Sequence, residues 1–390
     1  MVHYMQLPSG WKSSDIIEQS YLTMRHGVWQ SAQGPMLSAV HALGTNIRFS
    51  VVAWNLDARR PELDARMDSI RFQLKFMVEN NPVPILPVIM LIEVTQTCLN
   101  RLRQTHWVAM YYNISDDATS PSPSGILMLI PRSFPIKTVY RVPCGVTKGG
   151  TQRDLLFVDV TLTNRNGSTE NTEYVFRLCT THLIGLSPRQ RAKVLAKAAA
   201  HLRLAHLSVL GGDLHAVTAW DAAAVEQIML RDAFLEKGGV EGAKDAATFG
   251  PTADLRSVKA IGQHRTDKVL FCGHAKVLCY DTFGKEAVVS DPWAEGELLK
   301  NGRLVKPWAS DHLGVQAAFQ VEVDEDEQGE WIVDDEDGGE QGVEGLLGWI
   351  VDEEFEYEED EDGEEMGEWI VDEENDDDDD DDDVVAENWI

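Results

Sequence analysis

Residues 47–93, "IRFSVVAWNLDARRPELDARMDSIRFQLKFMVENNPVPILPVIMLIE", hold three patterns in a row. "IRFSVVAWN" is a mostly apolar, β-branched run that stops at Asn55, which reads as a buried strand. Leu63, Met67, Ile70, Leu74 and Met77 then recur at spacings of 4, 3, 4 and 3, the stripe of an amphipathic helix, with Pro61 suited to its first turn. "PILPVIMLIE" is a second buried strand running up to Glu93. Strands apolar on both faces, joined by a helix, predict sheet buried under helices and an α/β fold.

Outward from this unit the pattern continues. "WVAMYYN", "GILMLIPR", "IKTVYRV", "DLLFVDVTL" and "YVFRLCTTH" read as strands between turn signals such as "SPSPSG" and "NRNGS". "SPRQRAKVLAKAAAHLRLAHL" reads as a helix with Ser187 as N-cap and Pro188 in the first turn. In "SVLGGDLHAV" (208–217) a strand breaks on two glycines that read as a hinge. On extended chain Asp213 and His215 then face one space together. A helix near 217–230 and a loop through "KDAATFGPTADLRS" follow. "TDKVLF", "KVLCYDTF" and "SDHLGVQAAFQVEV" close the body as strands. Residues 1–45 carry no clear pattern and are set apart as an N-terminal extension of uncertain structure, with the main domain at 46–320.

Charge separates the third region. Residues 321–390 hold 36 Asp and Glu and no Lys or Arg, leaving 29 acids against 34 bases in residues 1–320. "WIVD" recurs at Trp331, Trp349 and Trp369, and the chain ends "NWI" at Trp389. Such composition cannot bury enough apolar area to offset ordering entropy and self-repulsion, so the tail reads as disordered. It is either a set of short protein-binding motifs or a solubilising repeat. Five scattered cysteines without CxxC spacing, no apolar leader and no run long enough to span a membrane lead us to expect an intracellular protein with reduced thiols.

Polar residues stand at the ends of the apolar runs: Asn55, Glu93, His182, Asp213, Asp267, and Asp311 with His312. Each alone has an ordinary reading as a turn residue, a solvated acid or a packed ring. Together they make a coherent set, because sites in layered α/β folds form where strand ends converge. Glu93, with Asp311 or Asp213, suits Mg²⁺, a hard ion that prefers oxygen. His182 and His312 can donate to phosphoryl oxygens. Asp267 can hold the His312 ring charged, and Asp213 can orient and deprotonate a water. That is metal-assisted phosphoester hydrolysis.

"VVAWNLD", "VIMLIEV", "CTTHL", "VLGGDLHA", "RTDKVLF" and "ASDHLGV", in this order, resemble the endonuclease/exonuclease/phosphatase superfamily with its DNase I-like fold. The likeness spans roughly 45–320. "WNLDARRPELDARMDSI", "TQRDLLFVDVTL" and "PRQRAKVL" are similar to the tyrosyl-DNA phosphodiesterase 2 branch, in its fungal form. The resemblance implies a four-layer sandwich of two β-sheets flanked by helices, and dependence on Mg²⁺ or Mn²⁺. It implies Glu93 as principal metal ligand with Asn55 beside it and Asp311 near the metal. His182 and His312 would lie on phosphate, with Asp213 acting on the water and Asp267 supporting His312. DNA ends or protein–DNA adducts are the implied partners, which would place the protein in the nucleus. One departure stands out: the family's Gly-Asp-x-Asn reads "GGDLHA" here, with His215 in the Asn position. Ile184 and Gly185 replace the branch's usual acid and Ser. The alternatives are another phosphoester substrate for the same fold, or a catalytically impaired domain that works as a binding platform through its tail.

Overall fold

The computed structural model describes residues 16–34, 42–43, 47–116, 125–147, 151–164, 172–300 and 302–321. The acidic tail read above as disordered lies outside them, as do residues 1–15. In chain order the first strands are β1 (Ile17–Glu18), β2 (Tyr21–Arg25), β3 (Val28–Ala32), β4 (Ala42–Leu43) and β5 (Arg48–Asn55). Then come α1 (Leu63–Glu79), β6 (Val88–Ile92), α2 (Gln96–Arg103), α3 (His106–Tyr111), β7 (Tyr112–Ile114) and β8 (Leu127–Pro131). The long strands β9 (Ile136–Val146), β10 (Gln152–Asn164) and β11 (Thr172–His182) lead to α4 (Pro188–Leu202) and β12 (Leu207–Asp213). The rest is α5 (Ala219–Gln227), β13 (Arg231–Asp232), α6 (Ala233–Glu236), α7 (Leu255–Ile261), β14 (Asp267–Gly273), β15 (Ala275–Phe283), α8 (Pro292–Leu299) and β16 (Gly314–Val321).

These strands make two mixed sheets. One runs β1-β9-β10-β11-β12-β14-β13, with β4 alongside β10; the other runs β15-β16-β5-β6-β8-β7-β2-β3. Strand alternation builds the layers. Phe49, Val51 and Ala53 of β5 and Val88 and Met90 of β6 face β10, β11, β12 and β14 in the core between the sheets. Val52, Trp54, Ile89 and Leu91 face the other way, onto Met67, Ile70 and Leu74 of α1 and Leu99 and Leu102 of α2. On the far side Leu155, Phe157 and Leu210 pack under α4 and α5. The result is helix, sheet, sheet, helix, the four-layer α/β sandwich that the resemblance implies.

Several expectations change. Residues 16–34, set apart as an extension, form β1–β3. β1 pairs with β9, and β2 pairs with β7, so the sheets begin before residue 46. "WVAMYYN" is mostly the short helix α3, and only Tyr112–Ile114 is strand. Pro61 lies outside α1, which starts at Leu63 after Glu62 in the left-handed region (φ 59°). The loop after residue 244 contains α7. Ser187 caps α4 as expected, in a reciprocal pair with Gln190.

The two glycines of 208–217 are not a hinge. β12 is buried along its whole length. A Cβ at Gly211 would come within 2.7 Å of Met90 Sδ, and one at Gly212 within 2.3 Å of the Thr181 carbonyl oxygen. They are glycines because the facing sheet and the neighbouring strand lie too close for a side chain. Gly212→Ala meets backbone and is expected to cost about 3 kcal/mol. Gly211→Ala meets a flexible thioether and is expected to cost about 1 kcal/mol. Urea titrations check this, and equal losses for the two variants would contradict it.

Candidate active site

The site is built at the strand ends. β11, β12 and β14 are adjacent, and their register sets His182 opposite Asp213 and Asp213 opposite Asp267. In the other sheet Asn55 pairs with Ile92, which puts Asn55 beside Glu93 at the end of β6. β16 begins just after His312, and the His312 carbonyl accepts from Trp54 Nε1 at 3.0 Å. Ser310 ties the two parts together. Its Oγ donates to the Asn55 carbonyl (2.7 Å) and accepts the His312 N–H (3.1 Å).

Asp213 is fully buried. Its Oδ2 accepts from Asn55 Nδ2 at 3.0 Å and its Oδ1 from the His215 N–H at 2.9 Å. His182 Nε2 lies 3.5 Å and His312 Nε2 3.7 Å from Oδ2. Burial opposes its charge, but His312 outweighs it and holds the carboxyl below the usual carboxylate range. His312 Nδ1 is 2.7 Å from Asp267 Oδ2, which also accepts from the Thr248 and Thr266 hydroxyls at 2.7 and 3.0 Å. Burial pushes the Asp267 carboxyl up and the His312 ring beside it opposes that shift, the pairing of a carboxylate with an imidazolium. Burial disfavours that charge, yet Asp267, Asp311 and Asp213 raise His312 well above the histidine range.

His182 differs. Burial drives its ring well below the histidine range despite Asp213 nearby, so the 3.5 Å approach is not an ion pair. Both ring nitrogens are buried and neither has a hydrogen-bond partner. Such orphaned donors and acceptors are costly unless something else meets them.

The described residues contain one set of three potential ligand groups whose donor atoms all lie within 4.8 Å of one another: Asp213, Asp267 and His312. That group can bind a cation, but Asp267 Oδ2 and His312 Nδ1 are already spent on each other. Glu93 and Asp311 are less committed. Glu93 Oε2 accepts the Ala58 N–H at 2.8 Å, and Oε1 stands 3.8 Å from His182. Asp311 Oδ1 is buried without a hydrogen-bond partner. Burial, then Asp57, pushes the Glu93 carboxyl up, and the same two causes push Asp311 up to about 7. Half-buried carboxylates that repel one another and keep an open oxygen fit a hard divalent cation.

This has a measurable consequence. Both acids bind protons more tightly folded than unfolded. For Asp311 the contribution to stability is therefore complete below the unfolded value near 4 and is lost as pH rises to about 7, and Glu93 shifts in the same direction. Mg²⁺, taking the ionised forms, is expected to raise Tm more at about pH 8 than at about pH 5. Equal shifts at the two pH values would refute the assignment.

All eight residues expected from the sequence lie at this end of the sandwich, but His215 does not arrive as predicted. β12 stops at Asp213, and His215 turns into the left-handed region (φ 49°), so the two do not alternate along one strand. His is one of the few residues with a side chain that enter this region readily, and Asn is another. The His215 ring has no hydrogen bond among the described residues, yet it acts electrostatically on Asp213 and His182.

Four contributors were not singled out from the sequence. Asp57 is held by Arg60 at 2.9 Å. Thr248 braces Asp267 from both sides, donating to its carboxylate and accepting its N–H. Arg153, buried, donates to the Ile184 carbonyl and acts electrostatically on Asp213 and Glu93. Arg66, fully buried, donates to the carbonyls of Leu56, Asp57, Arg60, Pro61 and Ala309. Asp57 and Arg66 lay in "WNLDARRPELDARMDSI" and Arg153 in "TQRDLLFVDVTL", motifs quoted for their resemblance, but none of the four was given a role.

No family model matches the chain, and no curated protein does. Among solved structures it is similar to a humanized D. rerio TDP2, with TM-score 0.49 and 16% identity over 70% of this chain and 98% of that one. A truncated Caenorhabditis elegans TDP2 gives TM-score 0.49 and 19% identity over 70% and 97%. An endonuclease/exonuclease/phosphatase from Bacteroides vulgatus gives 0.49 and 15% over 70% and 99%.

Proposed function

We propose that this protein is a divalent-metal-dependent phosphodiesterase acting on phosphoesters at 5′ DNA ends. The observation that carries the reading is what converges at the strand ends. His312 paired with Asp267 at 2.7 Å, buried Asp213 held by Asn55 at 3.0 Å, and the unpartnered ring of His182 stand together. Glu93 and Asp311 would hold Mg²⁺ or Mn²⁺, which offsets charge on the phosphoryl and leaving oxygens when bound. Asp213 orients the attacking water and takes its proton, with Asn55 fixing the carboxylate. His312 stays charged and donates Nε2–H to a phosphoryl oxygen as negative charge builds there. His182, neutral, supplies a second donor. His215 stands where the resembling family has Asn. It can donate one hydrogen bond when neutral, and burial lowers its pKa.

The test is turnover of a 5′-phosphotyrosyl oligonucleotide by the full chain with Mg²⁺ and then Mn²⁺, beside Glu93→Ala and His215→Asn. Turnover lost in Glu93→Ala supports the proposal. A silent parent that gains activity as His215→Asn marks an impaired site on an intact scaffold. Silence in both would overturn the 5′-end assignment.

A further inference from the structure

We infer that the loops bordering this site form a docking surface for the acidic segment that follows β16 in the same chain, through its Trp-Ile-Val-Asp sequences at 331–334 and 349–352. The surface is built from residues 57–61, 250–262 and 302–308, which are stitched together. Arg60 donates to the carbonyls of Trp308 (3.1 Å) and Thr252 (3.5 Å), and the Leu255 N–H donates to the Arg303 carbonyl (3.0 Å). The Gly250 N–H reaches the Asp311 carbonyl at 3.5 Å, which joins the surface to the site.

Arg59, Arg256, Lys259, Arg303 and Lys306 are exposed on these segments. None has an ion-pair partner within 4.0 Å among the described residues. Of the acids on these segments, Asp57 holds Arg60, and Asp254 caps α7 and takes the Ser257 hydroxyl, while Arg59 also feels the Glu93 carboxylate of the site. The same segments carry two exposed aliphatic side chains, Leu255 at 57% and Val305 at 69% exposure. Exposed aliphatics on segments that also carry five exposed cations call for an apolar group carried in acidic sequence.

The segment 322–354 has that chemistry. It holds 15 Asp and Glu and no Lys or Arg, and its two Trp-Ile-Val triplets are each followed by Asp. Reach permits the contact. β16 leads away from the site for eight residues, about 26 Å. The ten residues from Val321 to Trp331 span at most about 35 Å, and the 28 to Trp349 at most about 100 Å. Both repeats can therefore return to the site end, the second with length to spare. The inference does not depend on the catalytic reading.

Hydrogen exchange on the full chain tests it without an activity readout. At about 0.05 M salt, amides of 252–262 and 302–308 are expected to exchange about fivefold more slowly in the parent than in the double variant Trp331→Ser/Trp349→Ser. The same acceleration is expected in Arg256→Glu/Arg303→Glu and, for the parent, at about 1 M salt. Unchanged exchange in β5 and β12 confirms that the variants are folded. Identical loop exchange in parent and variants overturns the inference. Protection that grows with protein concentration overturns it in favour of a second copy's segment. Protection seen only after a DNA oligonucleotide is added assigns the surface to nucleic acid instead.

Discussion

Asp213→Asn is expected to lower kcat about a thousandfold while KM changes little, since a positioned base contributes about 10²–10⁴. The substitution is isosteric but not innocent. Both carboxylate oxygens accept from donors, Oδ2 from Asn55 Nδ2 and Oδ1 from the His215 N–H. An amide offers one acceptor, so its NH₂ must face a donor on one side. Loss of the negative charge also removes one of the three carboxylates that keep His312 protonated. The variant therefore loses the base and weakens the cation meant to meet the phosphoryl oxygen. Steady-state kinetics on the substrate of the parent enzyme decide the matter. A kcat within tenfold of the parent would remove Asp213 from the reaction.

Arg66→Met is expected to destabilise the fold by about 4 kcal/mol, among the largest single-site losses. The guanidinium holds five main-chain carbonyls at 2.6–2.9 Å, four in Leu56–Pro61 and one at Ala309. Those two stretches directly follow Asn55 and directly precede Ser310–His312. A thioether fills the volume and leaves every acceptor unmet. Arg66→Lys is no substitute, because an ammonium has three donors and no planar fork, and about 2 kcal/mol is expected to be lost. Denaturant unfolding of both variants tests this. A loss below about 1 kcal/mol for Arg66→Met would show that water satisfies the carbonyls as well as the arginine does.

Arg66 also shows what a sequence conceals. It lies in α1 between Leu63 and Met67 and reads as part of a solvated face, yet it is wholly buried. Its partners are main-chain carbonyls, which carry no sequence signature. The Gly211–Gly212 pair was misread for a related reason. Glycine in isolation reports freedom, whereas here it reports the closeness of Met90 and Thr181, more than 100 and about 30 residues away.

What the sequence by itself determined is local and periodic. The 4-3-4-3 stripe of α1, the apolar runs of β5, β6, β12 and β14, and the Ser187 cap of α4 each depend on residues a few positions apart. The polar residues ending those runs were equally legible, which is why the candidate site was named residue by residue. Only the tertiary structure decided which strand lies beside which. It placed β2 on β7, set His182, Asp213 and Asp267 in one row across three strands, and turned His215 out of the strand. The charge states followed from that placement, because burial raises Asp311 while three carboxylates around His312 keep its ring protonated. The physical reason is range. Side-chain periodicity is set by the backbone's own geometry, whereas pairing, close approach and electrostatic environment are set by residues that meet only after the chain has folded.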